Sequence, residues 1–71
     1  MKNYYDIEIE DTQKQLQRDI NVLNDIIYKM TRATTEKELL NFIIRATKYL
    51  SDVFNDKTYL INLEAEKNGS I

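Results

Sequence analysis

Twice in this chain apolar side chains return at intervals of four and three residues: Leu16, Ile20, Leu23, Ile27 and Met30, then Leu39, Ile43, Ala46, Leu50 and Val53. That spacing lays a stripe along one side of a helix. Nothing breaks either stretch, because the 71 residues hold no Pro and the single Gly is Gly69. The stripes therefore predict two long helices rather than a sheet. Between them Ala33-Thr34-Thr35 is the one plausible turn, and Thr35 with Glu38 three residues on has the spacing of a capping box. Two amphipathic helices with so short a connection read as an antiparallel hairpin.

The expected boundaries are helix 1 over Glu10 to Arg32 and helix 2 over Glu36 to Phe54. Glu10, Asp11 and Thr12 place negative charge and a capping oxygen at the first helix start, and Arg32 stands at its end, as the helix dipole prefers. Helix 2 is expected to stop near Asn55-Asp56, since an unbroken continuation of its stripe would put Lys57 and Glu64 among apolar residues.

The ends carry a different pattern. Tyr5, Ile7 and Ile9 alternate with acids, and Tyr59, Ile61 and Leu63 alternate with Leu60, Asn62 and Glu64. Alternation suits a half-buried strand. Residues 1–9 are thus expected to be extended, residues 56–66 to form a short third helix or a strand, and residues 67–71 to fray. The fold class expected is mainly α, a hairpin with its termini packed across it, or β-α-α-β if the two ends pair as a ribbon.

Width around each helix adds a further constraint. The apolar residues of helix 2 cover an arc of roughly 220° and those of helix 1 roughly 160°, against the ~100° that one packed face needs. So small a chain has few other staples, for it contains no Cys or His to form disulfides or most metal sites. Dimerisation into a helical bundle, or docking on a protein partner, is the expected way to cover the remainder. Val22 and Ile26 on helix 1 and Leu40, Phe42, Ile44, Tyr49 and Val53 on helix 2 are the expected interface residues.

Composition narrows the chemistry. Without thiol or imidazole there is no Cys-His or Ser-His-Asp constellation and no zinc finger. Asp6, Glu8, Glu10 and Asp11 are the densest set of oxygen ligands, yet each serves equally as the wet side of an amphipathic segment, and no cation-binding loop motif is present. Asp19 falls inside the apolar arc of helix 1 and should need a partner there. No catalytic residue, metal or cofactor is expected.

Lys14, Arg18, Lys29 and Arg32 form a ridge away from the stripe of helix 1, which defines an alternative reading as an RNA- or DNA-binding hairpin. Against it stand the net charge of −2 and a mixed-charge outer face on helix 2. The leading expectation is a small, non-enzymatic regulator, accessory factor or inhibitor that binds protein, itself included. No apolar run is long enough for a signal or a membrane span, so a cytoplasmic setting is expected. The richness in Ile, Asn, Lys and Tyr suits a phage or mobile element.

Overall fold

The computed structural model describes residues 3–69. They form two helices, α1 (Tyr4–Thr31) and α2 (Glu36–Lys67), with no strand among the described residues. The helices fold back on each other as an antiparallel hairpin. Its open end is tied by an ion pair between Lys67 and Asp6, and by the Tyr59 hydroxyl, which donates to the Glu8 carboxylate at 3.3 Å.

Local chemistry sets the ends. Asn3 caps α1, its side-chain oxygen accepting from the Asp6 amide at 2.9 Å. Thr35 caps α2, its hydroxyl accepting from the Glu38 amide at 3.1 Å. In the turn, the Arg32 and Ala33 amides donate to the Lys29 and Met30 carbonyls, tightening the last turn of α1. Gly69, at φ 69°, follows the end of α2, where a left-handed residue commonly stops a helix.

Both helices are longer than the expected spans. The N-terminal segment is helical from Tyr4, not extended to residue 9, and α2 continues past Phe54 without a stop. Residues 56–66 are neither strand nor a separate third helix, so no ribbon and no β-α-α-β unit forms. Of the expected extended segment, Met1 and Lys2 lie outside the described residues, as do Ser70 and Ile71 of the expected frayed tail.

Register explains the extension. The α1 side chains turned inward are Tyr5, Ile9, Thr12, Leu16, Asp19, Leu23, Ile26 and Met30, each buried or half-buried and spaced by fours and threes throughout. On α2 the matching set is Phe42, Ala46, Tyr49, Val53, Asp56, Leu60 and Leu63. Both sets are rotated from the stripes Leu16-Ile20-Leu23-Ile27 and Leu39-Ile43-Ala46-Leu50. Had the original stripes met, Asp6 and Gln13 from one helix and Lys57 and Glu64 from the other would lie between the helices. The rotation exchanges those four for Tyr5, Thr12, Asp56 and Leu63. Thr12 and Asp56 are shorter than the Gln13 and Lys57 they displace, and Tyr5 and Leu63 are less polar than Asp6 and Glu64. Leu60 and Leu63 join Ile26 as the buried apolar core, at 3%, 3% and 1% exposure.

The result is one layer thick. Cα extents are 51 × 23 × 12 Å and the radius of gyration is 16.1 Å, whereas a compact domain of this length would have about 11 Å.

Candidate functional site

A single layer has two broad faces, and these differ. One residue beyond the inward positions Asp19 and Ile26 stand Ile20 and Ile27, and one beyond Phe42 and Tyr49 stand Ile43 and Leu50. A step of one residue is about 100° around a helix. In antiparallel helices facing each other, that step carries both sets to the same side of the hairpin. Ile27, Ile43 and Leu50 are exposed and Ile20 half-buried, with exposed Leu39 and Phe54 beside them. Toward the open end the same positions become Asp6, Gln13, Lys57 and Glu64, so the apolar part of this face covers the half nearest the turn.

The expected interface residues divide between the inside and the outside. Ile26 is in the hairpin's own core, and Phe42, Tyr49 and Val53 are half-buried at inward positions against α1. Leu40 and Ile44, two residues to either side of Phe42, lie on the outer surface of α2 at 56% and 60% exposure, and Val22 is exposed on the other flank of α1. Ile20, Ile27, Ile43 and Leu50, read from the sequence as the internal stripe, instead form the outer apolar face. The conflict at Lys57 and Glu64, read from the sequence as a helix stop, is the signal of this rotation, since α2 runs through both residues.

The opposite face is polar. Asp11, Thr12, Lys14, Gln15 and Arg18 of α1, with Asp56 and Tyr59 of α2, line an open concavity of about 520 Å³. Asp19 is buried beneath it at 7% exposure, and the Gln15 side-chain amide donates to its carboxylate at 3.2 Å. The neighbouring Asp19 carboxyl, then burial, then the charge of Asp52 push Asp56 up to about 6. Hydrogen bonding with Tyr4, followed by burial and the neighbouring Tyr4 and Glu8 groups, pushes the Tyr59 hydroxyl up to about 12.

The basic ridge is largely engaged within α1. Lys14 pairs with Glu10 at 3.5 Å and Lys29 with Asp25 at 3.0 Å, while Arg18 donates to the Gln15 side chain and Arg32 to the Tyr28 hydroxyl, lying also over the Tyr28 ring. The N-terminal acids are likewise spread around α1, with Asp6, Glu8 and Glu10 meeting Lys67, Tyr59 and Lys14. Among the described residues no group of three or more acids is placed to hold a metal ion, and no helix is long and apolar enough to cross a membrane. No family model, curated protein or solved structure matches this chain.

Proposed function

We propose that the chain is a small, non-enzymatic protein-binding regulator that works as a homodimer, with the Ile20, Ile27, Ile43 and Leu50 faces of two hairpins packed together as a helical bundle. The observation that carries this reading is the apolar face of a one-layer hairpin. Ile27, Ile43 and Leu50 open to water, with Ile20 half-exposed beside them, are costly at about 25 cal/mol per Å² of apolar surface. The size of the face supports a second copy as occupant. From Leu39 to Phe54 it spans about 22 Å of helix across a hairpin 23 Å wide. Two such faces in contact would remove roughly 1,000 Å² from water, the lower bound of a specific interface. Leu40 and Ile44, on the outer surface of α2, stay available in such a dimer for another protein.

Sedimentation equilibrium of the full chain over a concentration series tests the proposal. A dimer is expected, with Leu50→Lys shifting the population to monomer while the far-ultraviolet circular dichroism stays helical. A wild-type monomer at every concentration would remove self-association and leave the face to a different protein.

A further inference from the structure

Opposed inward positions of a helical hairpin ordinarily hold apolar side chains, yet here α1 offers Asp19 and α2 offers Asp56. Asp19 is buried, with the Gln15 amide on one oxygen. The Oδ2 of Asp56 is buried without a hydrogen-bond partner. Two carboxylates present only acceptors, so a hydrogen bond between these groups needs one proton. The groups facing them are Thr12 and Gln15, with Asp11, Lys14 and Arg18 around the concavity on α1, and Asp52 and Tyr59 on α2. The Lys14 and Arg18 cations engage Glu10 and Gln15.

We propose that Asp19 and Asp56 hold a single proton between them, and that this proton latches the open half of the hairpin, Tyr4–Thr12 against Leu60–Lys67. With the proton present, the Asp56 hydroxyl donates to the Asp19 carboxylate and the pair carries one negative charge. With it lost, two negative charges face each other between the helices, with Asp52 adding a third nearby, and the open half loosens. The direction follows from linkage. The folded hairpin raises the Asp56 carboxyl from 3.8 to about 6, so it favours the protonated form. The stabilisation is full below about pH 4 and disappears as pH rises through 6. The hairpin is therefore tightened by mild acid, and a rise toward neutral pH frees the helix ends.

Carbon-13 NMR of the Asp56 carboxyl in the full chain reads the shared proton directly, whatever the oligomeric state, and a titration midpoint near 6 is expected. Urea unfolding at fixed protein concentration should give a folding equilibrium constant about tenfold larger at pH 5.0 than at pH 7.5. Asp56→Asn, which supplies a donor at every pH, should remove that difference. A wild-type midpoint near 4, or an unchanged pH dependence in Asp56→Asn, would overturn the latch. So would stabilisation of the wild type by Mg²⁺ or Ca²⁺ at pH 7.5 that Asp56→Asn abolishes, since a cation would then take the place of the proton.

Discussion

Asp19 and Ile26 stand one heptad apart on α1 and are among its most buried residues, one charged and one aliphatic. Their fates were not equally legible. An acid at the angular position of an apolar stripe is visible on a helical wheel, and Asp19 was found that way; its partner was not, because Asp56 beside Asn55 resembles a helix stop. Ile26 resembled an interface residue because a wheel shows that a side chain is apolar without showing what it meets. Burial now separates it from Leu40. Ile26→Ala should cost about 2–5 kcal/mol of stability, as large-to-small changes in a packed core do. Leu40→Ala should stay within about 0.5 kcal/mol, as exposed positions do. Urea unfolding of both variants at the same protein concentration checks the contrast, and equal losses would mean that the core lies elsewhere.

At the scale of elements, the middle of each helix and the turn between them were readable, and the ends were not. Thr35 and Glu38 identify the start of α2 because a cap is a local device, complete within four residues. Thr35→Ala should therefore cost about 1 kcal/mol, with thermal or urea unfolding as the measure. The ends misled because Tyr5, Ile7 and Ile9, spaced by two, are compatible with a strand, while Tyr5 and Ile9 alone, spaced by four, also lie on one helical face. Only the other helix decides between these, by giving Tyr5 and Ile9 something to cover. Leu60 and Leu63 belong to the same settlement. Leu63→Ala should weaken the hairpin by about 2 kcal/mol or more and reduce the helical signal of the N-terminal half of α1, observable as lost amide protection from Tyr5 to Thr12. Protection unchanged there would show that the helix ends fold independently.

For the whole molecule, shape is the dominant fact. A layer 12 Å thick cannot enclose apolar residues on both broad faces, and its two faces are unlike, one aliphatic near the turn and the other charged around the concavity. If the aliphatic face drives association, the affinity should change little between about 50 and 500 mM salt, because exposed charges are screened over that range while apolar burial is not. Sedimentation at the two salt concentrations checks this. A steep weakening with salt would transfer the interaction to the charged face and to Lys14, Arg18, Lys29 and Arg32.

From the order of residues alone came two helices, one capped turn and the inference that their apolar arcs are too wide for each other. These follow from interactions within a few residues along the chain, which a helical period and a cap express directly. What the folded hairpin decided was the rotation of each helix, and with it the exchange of inside for outside at Ile20, Ile27, Ile43 and Leu50. The rotation depends on contacts between residues far apart in the chain. Keeping Lys57, Glu64, Gln13 and Asp6 out of the interface, at the cost of admitting Asp19 and Asp56, is a comparison that neither helix can make by itself.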